Sequence, residues 1–296
     1  MHGNRYTGRF APTPSGKLHF GSLLAALASY IDARHHGGRW LMRMEDLDKP
    51  REVPGAADDI LHTLDVYGLH WDGSVVRQSE RLELYHSVLQ RWLDSGAAYR
   101  CVCSRRDLDG HVVYPGTCRQ RNLTAAPGQA IRVKTPDQVL GFVDRLQGAF
   151  SQHLQREVGD FVVKRRDGII AYQLAVVVDD IDQQVNQVVR GADLMDSTPR
   201  QLWLYALLGK PSPTYLHIPL IMRPDGQKLS KRLASPPLDS KTAPATLHRG
   251  LHALGQRPPA ELANAPVAEQ LVWAVANWQP MAIPALTNRL EAELDA

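Results

Sequence analysis

Between Arg5 and Asp46 the chain runs through an extended stretch, a turn, a helical stretch and a second extended stretch, and this pattern constrains the fold more than any other feature. Arg5 to Ala11 is short and partly apolar; Pro12, Pro14 and Gly16 break it, and Ser22 stands where a helix N-cap belongs. From Leu23 the residues Leu24, Leu27, Tyr30 and Ile31 recur at helical spacing until Gly37-Gly38 ends the run. Trp40 to Met42 opens a second strand that delivers Glu45 and Asp46 at its carboxyl end. This is a βαβ unit, which predicts an α/β fold with a parallel sheet and ligands at the strands' carboxyl ends.

The later pattern extends that architecture. Helices are expected over 56–69 and 81–95, then a cysteine-bearing segment at 99–119 interrupts the regularity and reads as an insertion. Residues 120–158 are mixed. Strands are expected at 160–164 and 171–178, the second an almost continuous apolar run suited to a sheet buried on both faces. A helix over 198–208 and a strand over 216–222 complete the regular part, and the 64 residues after Arg232 start as loop and turn Ala- and Leu-rich, with short helical patterns. The expected organisation is a catalytic domain from 1–98 and 160–232, an inserted subdomain at 99–159 and a short helical C-terminal segment at 233–296.

With 296 residues, 44% hydrophobic and 22% charged, the composition is that of a globular chain and excludes disordered and collagenous classes. A net charge of +3 means that any nucleic-acid contact must come from local patches. Arg100, Arg105, Arg106, Arg119 and Arg121 form one such cluster, with an ordinary solvated face as the alternative. No leader-like apolar stretch opens the chain and no run approaches a membrane span, so a cytoplasmic protein without membrane contact is expected.

Two short segments carry phosphate chemistry. In Arg9-Phe-Ala-Pro-Thr-Pro-Ser-Gly-Lys-Leu-His19-Phe-Gly-Ser22, Ala11 stands where a P-loop needs glycine and Leu18 where it needs a hydroxyl, so the segment is no P-loop. What remains is His19 and Gly21 at a helix N-terminus, where unpaired N–H groups and the helix dipole favour an anion. Lys228-Leu-Ser-Lys231-Arg232 places three cations and a hydroxyl on a Gly-containing loop, a composition able to neutralise a triphosphate as its charge redistributes.

Cys101, Cys103 and Cys118 are the chain's only cysteines. An odd count clustered in one segment argues against a disulfide framework and for a metal site, with Zn²⁺ the metal best served by thiolates. His111 is the chemically ordinary candidate for a fourth ligand.

His19-Phe-Gly-Ser22 resembles the HIGH signature of class I aminoacyl-tRNA synthetases, and Lys228-Leu-Ser-Lys-Arg232 resembles their KMSKS signature. Phe20 and Ser22 replace Ile and His of the first consensus, and Leu229 and Arg232 replace Met and Ser of the second. Arg9-Phe-Ala-Pro-Thr, Arg43-Met-Glu-Asp-Leu-Asp48, Gly191-Ala-Asp193 and Ser197-Thr-Pro-Arg200 are similar to blocks of the glutamyl branch. The short stretch after Arg232 leaves no room for an anticodon-binding domain, which narrows the resemblance to the truncated glutamyl-queuosine tRNA(Asp) synthetase family.

The resemblance implies a Rossmann-like catalytic domain and a zinc-containing insertion. It implies activation of L-glutamate with ATP and Mg²⁺, then transfer to the queuosine base in the anticodon loop of tRNA(Asp). Arg9, Ala11, Thr13, Glu45, Tyr172 and Arg190 match the family's glutamate-binding positions. His19, Gly21, Ser22 and Lys231 match its ATP site, and His19, Lys228 and Lys231 its catalytic groups. Cys101, Cys103, Tyr114 and Cys118 match its zinc ligands, Tyr114 being an unusual oxygen donor. A monomer is expected. Two other readings are a shortened enzyme that charges tRNA(Glu) and a non-catalytic tRNA-binding module.

Overall fold

The computed structural model describes residues 5–222 and 237–290. Strand β1 (Thr7–Phe10) leads into helix α1 (Phe20–His35), which returns through β2 (Arg39–Met44). After α2 (Ala56–Val66) comes β3 (Val76–Arg77), and β1, β2 and β3 form a parallel sheet in that order. The βαβ unit is therefore present.

The ends of α1 follow from its sequence. At its start the N-cap is His19 rather than the expected Ser22, because the His19 side chain itself accepts the Ser22 N–H and the helix can begin at Phe20. At its finish the Gly37 N–H reaches Arg34 O and the Gly38 N–H reaches Ala33 O, a Schellman closure that needs the positive φ of Gly37, 59°. Gly38 is constrained differently: a Cβ there would sit 2.6 Å from the Tyr6 carbonyl oxygen.

Helix α3 (Leu82–Asp94) precedes β4 (Ala98–Cys101), and β5 (Ala130–Val133) follows the cysteine segment. A hairpin of β6 (Val139–Asp144) and β7 (Gly148–His153) leads through the short α4 (Leu154–Glu157) to β8 (Phe161–Lys164). β5 pairs antiparallel with β4 on one side and β8 on the other, so one sheet stitches this region to its flanks.

The run expected as a strand at 171–178 is helix α5 (Tyr172–Asp182). Leu174 through Asp180 are all buried, so the helix is enclosed rather than amphipathic, and an enclosed helix shows the same unbroken apolar run as a two-sided buried strand.

β9 (Gln187–Gly191) comes next, then α6 (Thr198–Leu207) and β10 (Thr214–Ile218), the two strands pairing in parallel with Arg190 opposite His217. This pair abuts the first sheet where the Asn186 N–H donates to Thr7 O and the Thr7 N–H donates to Asn186 Oδ1. β11 (Leu220–Met222) closes this stretch.

Beyond residue 236 lie α7 (Ala243–Ala253), α8 (Val267–Ala276) and a short strand, β12 (Asn288–Leu290), which pairs in parallel with β11. Leu247, Leu251, Leu271 and Trp278 share one core with Leu23, Leu27, Trp40 and Met42. A second core gathers Tyr85, Trp92, Val163, Leu174, Val177 and Leu204 from α3, β8, α5 and α6. Buried Asp32 of α1 ties the first core together: it accepts both Arg145 Nη1 and Nη2 at 2.6 and 2.9 Å and Trp278 Nε1 at 2.9 Å. Among the described residues no helix is long and apolar enough to cross a membrane.

Candidate active site

The parallel strands carry the expected site residues at or near their carboxyl ends. Arg9 lies in β1, with Ala11 and Thr13 just beyond it; Glu45 follows β2, Arg190 lies near the end of β9, and Tyr172 is the first residue of α5. The loop after β1 is fastened to the end of β2 by the Glu45 N–H, which donates to Pro12 O at 2.9 Å. Burial raises the Tyr172 hydroxyl above its ordinary pKa, and the charges of Arg190, Glu45 and Arg9 all reach it. The structure thus brings Arg9, Glu45, Tyr172 and Arg190 together.

Buried cations at this site are held by carboxylates from α5. Asp180 Oδ1 accepts Arg9 Nε at 3.3 Å and Arg43 Nη2 at 2.6 Å. Burial drives the Asp180 carboxyl up, but Arg43 and Arg9 outweigh it and hold it below its usual range. Asp179 accepts from Arg81 Nε, Gln78 Nε2 and the Tyr85 hydroxyl. Glu45 is different. Its side chain is 10% exposed with Arg43 Nε 4.0 Å away, and burial pushes its pKa up to about 7 against the pull of Arg43 and Arg9. A carboxyl in this state is poised to bind a cationic group, which would supply the missing counter-charge.

Arg190 is fixed more completely than any other residue here. Nε donates to His217 Nε2 at 3.0 Å, Nη1 to Gln201 Oε1 at 2.9 Å, and Nη2 to Thr198 Oγ1 at 2.8 Å and Leu194 O at 3.3 Å. One N–H, on Nη1, is left over for a ligand. His217 Nδ1 in turn lies 2.6 Å from Asp144 Oδ2. Burial lowers the His217 pKa, so the imidazole is neutral at physiological pH.

Of the two segments expected to meet phosphate, the first lies at the start of α1. His19 Nδ1 accepts the Ser22 N–H at 3.3 Å, Ser22 Oγ lies 3.1 Å from His19 Nε2, and Gly21 and Ser22 occupy the first turn of α1. Pro237 bridges to His19, and the Leu238 N–H donates to Leu18 O at 3.0 Å. Lys228, Lys231 and their neighbours through Arg232 lie outside the described residues.

The cysteine segment forms a second centre. The Sγ atoms of Cys101, Cys103 and Cys118 lie within 4.8 Å of one another. Tyr114 Oη sits 3.5 Å from Cys101 Sγ and 3.7 Å from Cys103 Sγ, while Cys103 and Cys118 Sγ are 3.6 Å apart. A tetrahedron with zinc–sulfur arms of about 2.3 Å has edges of about 3.8 Å, so these donors fit that ion. Tyr114 is buried and joins the thiols, whereas His111 is exposed and outside the group. Arg132, 3.7 Å above the Tyr114 ring and 3.4 Å from Cys101 Sγ, places a buried positive charge beside the donors.

Sequence reasoning missed Asp179 and Asp180, Asp144 and His217. Two consecutive acids ending an apolar run were the available signal for the first pair, because buried carboxylates need cationic partners. Nothing local marks Asp144 or His217, which meet only in the fold.

Residues 6–113 and 117–243 match the family model for tRNA synthetases class I (E and Q), catalytic domain. Over 292 residues the chain is 60% identical to a glutamyl-Q tRNA(Asp) synthetase of Ectopseudomonas mendocina, covering 98% of both chains. It is 59% identical over 290 residues to one of Pseudomonas aeruginosa, covering 98% of this chain and 99% of that one. A solved glutamate tRNA ligase of Elizabethkingia meningosepticum, in complex with its amino acid, superposes with a TM-score of 0.80 at 26% identity, over 98% of this chain and 68% of that one. The clustered charges at the strand ends and these likenesses agree: the chain belongs to the class I tRNA synthetases of the E and Q group and, within it, to the glutamyl-Q tRNA(Asp) synthetase family.

Proposed function

We propose that the chain activates L-glutamate with ATP and transfers the glutamyl group to the queuosine base in the anticodon loop of tRNA(Asp). The convergence of Arg9, Glu45, Tyr172 and Arg190, with β1 leading by one loop into the His19-capped start of α1, carries the first step. Glutamate offers two carboxylates and an ammonium, which this set of two cations, one anion and one hydroxyl complements. The shared name of the relatives supports the choice of acceptor.

In this reading Arg9 and Arg190 hold the carboxylates and Glu45 the ammonium, with Tyr172, Ala11 and Thr13 shaping the pocket. The α-carboxylate attacks the α-phosphorus of ATP, an oxygen–phosphorus bond forms and pyrophosphate leaves. No protein nucleophile is needed, so His19, Gly21, Ser22 and the helix N-terminus act by positioning and charge stabilisation, together with Lys228 and Lys231. Mg²⁺ entering with ATP offsets phosphate charge. In the second step a hydroxyl attacks the acyl carbon of the adenylate, AMP leaves and an ester forms.

Cys101, Cys103, Cys118 and Tyr114 hold structural Zn²⁺ in this reading, with all four positions filled by protein so that none is open to substrate. The Rossmann-like catalytic domain then acts in the cytoplasm, as a monomer.

The deciding experiment offers labelled glutamate and ATP with tRNA(Asp) from wild-type and queuosine-deficient cells. Label should enter only the former. Equal labelling of both, or labelling of tRNA(Glu), overturns the proposed acceptor in favour of conventional charging, and absence of any pyrophosphate exchange favours a non-catalytic module.

A further inference from the structure

Arg190 and His217 face one another across the paired strands β9 and β10, and every polar atom of the His217 ring is committed. An arginine Nε can only donate, so His217 Nε2, 3.0 Å away, must accept. The ring proton therefore sits on Nδ1 and points at Asp144 Oδ2, 2.6 Å away. The other oxygen of Asp144 is occupied by the turn after β6: Oδ1 accepts the N–H groups of Leu146 and Gln147, both at 2.9 Å. One carboxylate thus closes a turn with Oδ1 and dictates a tautomer with Oδ2, while the His217 backbone N–H donates to both oxygens at 3.2 and 3.1 Å.

We infer that Asp144 and His217 are positioning residues for glutamate recognition: Asp144 fixes the His217 tautomer, and His217 thereby holds the Arg190 guanidinium in the orientation that presents its remaining N–H to the substrate. The inference rests on the proposed role of Arg190 as a glutamate-binding residue. Both side chains lie fully within the protein. The bond matters because it fixes the Nε edge of a guanidinium whose two Nη groups are held by Gln201, Thr198 and Leu194, and recognition of a carboxylate by a single remaining N–H demands one orientation.

Asp144→Asn separates the two duties. The amide oxygen in the place of Oδ1 can keep the turn and the His217 backbone N–H, so its NH₂ faces His217 Nδ1, which must then accept. The ring proton moves to Nε2 and meets the Arg190 Nε–H, donor against donor. In glutamate-dependent pyrophosphate exchange, Asp144→Asn should raise KM for glutamate at least tenfold and leave KM for ATP and kcat within about twofold, with little change in melting temperature. His217→Gln, whose amide has no tautomer to flip, should abolish the sensitivity: in that background Asp144→Asn should change KM for glutamate less than twofold. An equal rise in both backgrounds assigns Asp144 to the turn alone and overturns the inference, as does an unchanged KM for glutamate in Asp144→Asn. Should Asp144→Asn not fold, His217→Leu must raise KM for glutamate at least tenfold more than His217→Gln, and equal values sink the idea. Arg190→Lys tests the foundation separately: an unchanged KM for glutamate there removes the glutamate-site reading and this inference with it. A raised value there beside an unaffected Asp144→Asn removes only the inference.

Discussion

Asp180 Oδ1 and Arg43 Nη2 lie 2.6 Å apart with both side chains almost wholly out of solvent, and the same oxygen also accepts Arg9 Nε. A carboxylate that serves two buried guanidinium groups cannot be removed without leaving uncompensated charge.

Asp180→Asn should therefore lower stability by about 3–5 kcal/mol, the range found when one partner of a buried pair is deleted. Chemical denaturation measures it, and a loss below about 1 kcal/mol would show that water reaches these arginines. KM for glutamate should rise in the same variant, because Arg9 loses its anchor.

Glu45 gives the site a pH dependence of definite sign. Its carboxyl, pushed up to about 7 by burial, must be ionised to receive the glutamate ammonium, so affinity is present above that pH and lost as pH falls through it. Between pH 8 and pH 6 the ionised fraction of the free protein falls about tenfold, and KM for glutamate should rise by a similar factor. Glu45→Gln should weaken binding throughout and flatten the profile. A sloping profile that survives the substitution would assign the titration elsewhere.

Lys231 is expected to act on the phosphates as pyrophosphate departs. Lys231→Ala should cut glutamate-dependent pyrophosphate exchange by about 10²-fold or more while glutamate binding, followed by calorimetry, stays within about threefold. Equal loss of both contradicts the role.

Purified protein should carry one zinc ion per chain, and Cys103→Ser should lose it. Chelation of the native protein should lower the melting temperature by about 5 °C or more, since a structural site contributes directly to folding. Metal analysis showing no zinc, with melting unchanged by chelator, would leave Cys101, Cys103 and Cys118 as ordinary thiols.

The legible parts of this molecule were those whose signals are local. The apolar spacing of Leu23 to Ile31 and the paired glycines that follow announce α1 and its end, and the spacing of Cys101, Cys103 and Cys118 announces their cluster. Helix α5 was not legible as a helix, because Leu174 to Val178 is enclosed on all sides and enclosure erases periodicity. Tyr114 and His111 sit in the same short loop, and spacing does not say which of them meets the thiols; in the fold the Tyr114 hydroxyl does. Arg190 could be matched to a family position, but the groups that orient it are scattered over Asp144, Thr198, Gln201 and His217 and converge only when β9, β10, α6 and the β6–β7 turn assemble.

The bond from Trp278 to Asp32 joins residues 246 positions apart, and it bears on the order in which the molecule can be completed. Synthesis from the N-terminus releases the βαβ unit well before Leu247, Leu251, Leu271 and Trp278, which share its core. The buried residues of the second core fall between Tyr85 and Tyr205, so it can close sooner. Chain growth thus leaves the half bearing Arg9, His19 and Glu45 without these core partners until Trp278 has been translated, and competence for glutamate has to wait for that moment in the life of each new molecule.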